Sequence, residues 1–211
     1  MKMKVCGITQ LEQLIQLDSM GINYAGLIFY DQSLRWIDNK LKAGEVKSLP
    51  LTMQKVGIFV NAEESYIMEQ VENFGLDLVQ LHGDETPGFC NQISSQVTVI
   101  KVFRITQTNE QNIDWMVKPY EEYCDYYLFD TNRKNAYGGT GEKFDWNILN
   151  ENKINKPFFL SGGIGVGDVE KLKTFEHPFF YGVDVNSRVE ITVGIKDIKS
   201  IREMSEQLLS K

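Results

Sequence analysis

Short runs rich in β-branched and aromatic residues recur along the chain with amphipathic or charged stretches between them, an alternation that predicts successive βα units and a parallel sheet. Eight runs stand out: Met3–Cys6, Tyr24–Phe29, Lys55–Val60, Leu78–Leu81, Val97–Phe103, Tyr126–Phe129, Pro157–Leu160 and Phe180–Val183. Helical spacing is clearest at Leu11–Met20, where Leu11, Leu14, Ile15 and Leu17 mark one face, at Tyr66–Phe74 with Ile67, Val71 and Phe74, and at Ile198–Leu209. The stretch Glu110–Tyr123 contains Pro119 and reads as an irregular or broken fifth helix. Eight strands with intervening helices predict an α/β fold, a (βα)8 TIM barrel formed by a single domain over residues 1–211. A flavodoxin-like open sheet is the structural alternative. No linker, low-complexity segment or repeat marks a second domain.

Composition narrows the functions such a fold could serve. With 42% hydrophobic and 24% charged residues the chain can bury one continuous core. A net charge of -7 and a pI near 5.0 leave no basic field for nucleic acid or an anionic membrane, so an anionic ligand needs a local site. Apolar runs stay short of the ~20 residues of a membrane span, and the N-terminal residues lack signal-peptide character, so the expected setting is cytoplasmic. Cys6, Cys90 and Cys124 make an odd count that favours reduced thiols over a disulfide framework. Only His82 and His177 are present, with no close Cys/His spacing, so a zinc site is not expected. Acid, base and thiol chemistry remain.

The polar residues at the strand ends sharpen this picture. Cys6 ends the first run, and Asn61, His82, Arg104, Asp130 and Asp184 follow the third, fourth, fifth, sixth and eighth. In a barrel these positions converge on the active-site face, whereas a random scatter would occupy both ends and the outer helices. Two glycine-rich segments, Gly138–Gly141 and Ser161–Gly165, and the segment Val183–Glu190 follow the last three runs. Each alone reads as a turn. Placed together, with a short helix starting near Asn186 or Ser187, they form a phosphate cup built of segments that include Gly141, Gly163, Asn186, Ser187 and Arg188.

Other candidates carry an open alternative. Cys6 reads as a small buried hydrophobe or, in a positive environment, as a base. Asp130, directly after the run Tyr126–Phe129, reads as a catalytic carboxyl or a helix cap. Arg35 suits a surface ion pair or a carboxylate held bidentately. His82 reads as a hydrogen-bonded structural residue or a substrate contact, and Arg104 and Asp184 join the substrate contacts by position alone. Phe144 and Trp146 read as packing residues around a following helix, with Asp145 as its N-cap.

Taken in order, VCGIT at Val5–Thr9, SLRW at Ser33–Trp36, GIFVN at Gly57–Asn61, VQLHGDE at Val79–Glu85, FDT at Phe129–Thr131, GGTGEKFDW at Gly138–Trp146, SGGI and VDVNSRVE form a series that closely resembles the phosphoribosylanthranilate isomerase family of tryptophan biosynthesis. The resemblance runs from Lys4 to about Asp197. It implies a cofactor-independent barrel that takes a small phosphorylated substrate and performs an Amadori rearrangement, with Cys6 as general base, Asp130 as general acid and Arg35 facing the anthranilate carboxylate. Such an acid must hold its proton near neutral pH to open the furanose ring, and the base then removes the proton at sugar C2.

Three positions depart from the family's usual pattern: Arg188 where glycine is common, Val193-Gly194 in place of Pro-Gly, and Gln10 in place of a basic residue. The enzymatic rival is another phosphosugar barrel, such as an epimerase, for which several strand-end histidines are expected and only His82 is so placed. A catalytically silent ligand-binding barrel is the rival of a different class.

Overall fold

In the computed structural model, which describes residues 1–106, 112–131 and 144–209, eight parallel strands close into a barrel in chain order. They are β1 (Lys2–Cys6), β2 (Tyr24–Ile28), β3 (Gln54–Phe59), β4 (Leu78–Leu81), β5 (Thr98–Ile105), β6 (Tyr126–Thr131), β7 (Phe158–Leu160) and β8 (Phe180–Val185). Closure pairs β1 with β8, placing Lys4 opposite Asp184. An open flavodoxin-like sheet has two edge strands and this closed one has none, so that alternative is excluded. All eight predicted runs are strands, but three were read short. β5, β6 and β8 continue through Arg104, Asp130 and Asp184, which therefore lie within strands near their C-terminal ends. A polar residue at a barrel mouth ends the apolar pattern without ending the hydrogen-bonded ladder.

Side chains alternate across the strands, as the two-residue period requires. Val56, Ile58, Leu78, Ile100, Val102, Leu128 and Phe159 fill the barrel interior. At its lower end Tyr24, Tyr126 and Tyr181 close the floor, with the hydroxyls of Tyr24 and Tyr181 2.9 Å apart. The opposite strand faces pack beneath the helices.

Those helices are α1 (Leu11–Ser19), α2 (Ala43–Ser48), α3 (Glu64–Phe74), α4 (Pro87–Ser94), α5 (Ile113–Val117), α6 (Val169–Thr174) and α7 (Ile198–Leu209). In α1, Leu14 and Leu17 are buried as predicted, but Ile15 is exposed. Gln13 takes the inward position instead and exchanges hydrogen bonds with the backbone of Lys196. Thr86 caps α4 through a hydrogen bond from the Phe89 amide, with Pro87 at the first helical position where no amide donor is required. The broken fifth helix is borne out: α5 passes into a 3-10 turn over Lys118–Tyr120, which contains Pro119. After β6 the connection holds a 3-10 segment, Trp146–Glu151, capped by the Asp145 carboxylate and buried through Trp146. A small hairpin of β9 (Glu190–Thr192) and β10 (Ile195–Lys196), absent from the sequence reading, precedes α7. Among the described residues no helix is long and apolar enough to cross a membrane.

Candidate active site

The C-terminal mouth of the barrel holds a cleft, the usual place for a small-molecule site in this architecture. Cys6, Arg35, His82, Asp130, Asp184 and the segments around Gly163 and Ser187 all line it. Their convergence follows from chain geometry: parallel strands aim every C-terminal end at the same face.

Cys6 lies at the inner end of the cleft, 5% exposed. Its neighbour in register on β2 is Gly26, where even a methyl group would come within 2.8 Å of the Cys6 sulfur. The glycine leaves the space that the thiol occupies. Below Cys6, the fully buried Lys4 donates to Asp184 Oδ1 at 2.8 Å, and the Ser161 hydroxyl donates to Asp184 Oδ2 at 3.1 Å. Burial pushes the Cys6 thiol up, the Lys4 ammonium opposes that rise, Asp184 adds to it, and Lys196 again opposes it. Asp184 was expected to contact substrate. Both of its oxygens are instead bonded to protein groups, which makes it part of the framework beneath Cys6.

Asp130 reaches the cleft from β6 and is nearly buried. Its Oδ2 lies 3.5 Å from Nε2 of His82, whose Nδ1 is 3.1 Å from the side-chain amide nitrogen of the buried Gln80. Among the described residues Gln80 Oε1 and His82 Nε2 are buried without a hydrogen-bond partner. The two readings of His82 thus merge: it is held by Gln80 and faces the carboxyl of Asp130. Asp130 does not cap a helix, because the ladder continues through Thr131.

Arg35 does form a bidentate carboxylate pair, with an internal partner. Its Nε and one terminal nitrogen donate to the two oxygens of Glu190 at 2.8 and 2.6 Å, largely shielded from solvent. Lys196 donates to the same carboxylate at 2.7 Å and to Asn186 Oδ1 at 2.8 Å. Although burial pushes the Glu190 carboxyl up, the hydrogen bonds from Arg35 and Lys196 outweigh it and hold the group below the usual carboxylate range. This knot ties the loop after β2 to the hairpin after β8, and the surface ion pair considered from sequence is not what forms.

On the cleft rim Gly162 and Gly163 adopt φ of +91° and +68°, and a methyl group at Gly162 would meet Thr131 Oγ1 at 2.5 Å. Only glycine fits this turn without strain. Facing it are Asn186, Ser187 and Arg188, the last exposed. The expected short helix is a single 3-10 turn, Ser187–Val189, too short to carry a full helix dipole. Gly141 and its glycine-rich segment lie outside the described residues. Arg104 is not brought into the cleft; it pairs with Asp84 beside a neighbouring surface hollow. Asn61 serves the β3 and β4 loops, accepting from the Asp84 amide at 2.7 Å. The sequence reading passed over Lys4, Gln80, Glu190 and Lys196. The period-two spacing of Lys4 from Cys6, and of Gln80 from His82, was the available signal for two of them.

The family model for N-(5'phosphoribosyl)anthranilate (PRA) isomerase matches residues 3–207. An N-(5'-phosphoribosyl)anthranilate isomerase of Parabacteroides distasonis is 38% identical over 99% of this chain and 94% of its own length. Among solved structures, phosphoribosyl anthranilate isomerase from Thermotoga maritima superimposes with a TM-score of 0.82 at 30% identity, covering 99% of this chain and 98% of that one. A phosphoribosyl anthranilate isomerase in complex with reduced 1-(o-carboxyphenylamino)-1-deoxyribulose 5-phosphate superimposes with a TM-score of 0.79 at 29% identity, with the same coverage.

Proposed function

The chain belongs to the N-(5'-phosphoribosyl)anthranilate isomerase family, and from that membership we propose how its cleft divides the chemical work. It is an isomerase of tryptophan biosynthesis, converting N-(5-phosphoribosyl)anthranilate to 1-(2-carboxyphenylamino)-1-deoxyribulose 5-phosphate by an Amadori rearrangement. The observation that carries the site assignment is the presence of Cys6 and Asp130 on one cleft, each at the inward end of a barrel strand.

Asp130 is the general acid. Its carboxyl protonates the furanose ring oxygen, the C–O bond breaks, and the ring opens to a Schiff base. Cys6 is the general base, removing the proton from C2 so that the electron pair moves into the imine. The resulting enolamine tautomerises to the keto product. The substrate's own nitrogen serves as the electron sink, so the protein has to supply only a positioned donor and acceptor. His82, beside Asp130, orients the acid. Arg35 meets the anthranilate carboxylate with the part of its fork not turned to Glu190.

The turn at Gly162–Gly163, with Ser187 and Arg188 opposite, receives the phosphate through backbone amides and one guanidinium. From its sequence motif alone, Gly141 is assigned a phosphate contact. Arg104 stays outside it. We further take residues 1–211 as one catalytic unit, on the pairing of β1 with β8, and place it in the cytoplasm, on its three free thiols.

The reaction is tested by following anthranilate fluorescence as the purified chain turns over N-(5-phosphoribosyl)anthranilate, with inorganic phosphate as a competitor. A steady fall in signal, slowed competitively by phosphate, is expected. Phosphate that leaves the apparent KM unchanged at low salt would remove the cup. A structure with the reduced product analogue tests the poses. Its sugar C2 should lie beside Cys6, and an analogue bound with its aromatic ring at the Gly162 turn would refute the assignment.

A further inference from the structure

Beneath the catalytic thiol stands a charge that nothing in the reaction scheme above uses. Lys4 is fully buried on the inner face of β1, two residues before Cys6 and therefore on the same side of the strand. Its ammonium group donates to the Asp184 carboxylate at 2.8 Å across the seam where the barrel closes, and its charge acts on the Cys6 thiol two residues along the same face.

Stability does not account for this arrangement. A buried ion pair gains little over apolar side chains of similar volume, because desolvation offsets the attraction. Apart from Gln80 and Asp184 the interior around it is largely apolar or aromatic, so a methionine at position 4 would fit the same packing. The pair is also asymmetric, because its negative end is tied back by the Ser161 hydroxyl as well as by Lys4.

We propose that Lys4 is the positioning residue that stabilises the Cys6 thiolate, and that Asp184 is the counter-charge that anchors Lys4 and limits its effect. The proposal rests on the reading of Cys6 as the general base. A nearly inaccessible thiol holds little thiolate to act as a base at neutral pH, since burial disfavours the charged form, and a fixed cation on the same strand face corrects that without entering the cleft. Asp184 keeps the lysine charged while no thiolate is present. The other charged groups facing Cys6 are Lys196 from β10 and Arg35 from the loop after β2, both satisfied by Glu190, with Asp130 from β6 and His82 after β4 also lining the cleft. Among the cations acting on Cys6, Lys4 is the fully buried one on the same strand, and it favours the thiolate more than Lys196 does.

The two partners push in opposite directions, and that makes the test sharp. Alkylation of Cys6 by iodoacetamide is followed against pH in the ligand-free protein, with the modified peptide identified by mass so that Cys90 and Cys124 do not contribute. Lys4→Met should slow alkylation at neutral pH by at least ~10-fold and move its profile to higher pH. Lys4→Arg should stay near the parent. Asp184→Asn should move the profile to lower pH. The acid limb of kcat/KM should follow in each case.

If the alkylation profiles move as stated while the kcat/KM limb stays fixed, the Lys4–Asp184 assignment stands and Cys6 is not the base. If Lys4→Met does not fold, Asp184→Asn decides, and a profile that is unmoved or shifted upward overturns the proposal. Folded Lys4→Met protein with the parent's alkylation profile overturns it equally.

Discussion

Cys6 and Asp130 enter the cleft from β1 and β6, and in the proposed scheme they act on successive proton transfers, so neither can replace the other. Cys6→Ala and Asp130→Asn should each lower kcat by at least ~10²-fold, the lower range for positioned acid–base groups. Circular dichroism should be unchanged, because Asp130→Asn is isosteric and Cys6→Ala removes a single heavy atom beside the cleft. A variant of either kind with near-parental kcat would remove that residue from its role. Arg35 calls for a different expectation, because its fork already holds Glu190. In Arg35→Ala the Glu190 carboxylate keeps Lys196, so the loop survives while KM rises far more than kcat falls. Arg35→Lys should not restore KM, since an ammonium cannot make the two parallel bonds of a guanidinium. Steady-state kinetics of the two variants decide the matter, and an unchanged KM would confine Arg35 to its internal pair.

At the scale of elements, the loop that carries His82 is held by a buried knot rather than by secondary structure. Lys101 on β5 donates to the Glu85 carboxylate at 2.8 Å and to the carbonyls of Leu81 and Gly83, while the other Glu85 oxygen accepts from the amides of Asn61 and Gly83. Glu85→Ala would leave Lys101 buried without its carboxylate and both amides unsatisfied. A loss of about 3–5 kcal/mol in unfolding free energy is expected, from the usual cost of removing one partner of a buried pair. Urea denaturation measures it, and a change under 1 kcal/mol would mean that water replaces Glu85 there. The motif QLHGDE makes this loop visible in the sequence, but it points to His82 and assigns no role to Glu85. Its partner lies sixteen residues away on the next strand.

For the whole molecule, the critical contact is the seam between the first and last strands. Without β8 the sheet has two edges, the inner face of β1 loses its lid, and Lys4 is left with no carboxylate. A fragment of residues 1–179 should therefore show no cooperative thermal transition, even though it keeps seven of the eight strands. Near-ultraviolet circular dichroism with a heating scan checks this. A sharp transition in the fragment would show that the barrel core is stable before it closes.

The eight-strand order, the amphipathic faces of α1, α3 and α7, the break at Pro119 and the identity of Cys6 and Asp130 could be read from the chain, because each depends on local periodicity or on a residue type at the end of a periodic run. Ile15 and the short readings of β5, β6 and β8 mark where that signal fades, since one residue of rotation or of ladder does not change the pattern. Which charges meet was a different kind of question. Lys4 and Asp184 are separated by 180 positions, and Arg35 and Glu190 by 155, yet they touch because a closed barrel sets the register of its seam and brings all its loops to one mouth. Arg104 shares that strand-end position and still turns away to Asp84. Periodicity says which face a side chain occupies; its partner across the fold is selected by strand register and by the cost of leaving a buried charge alone.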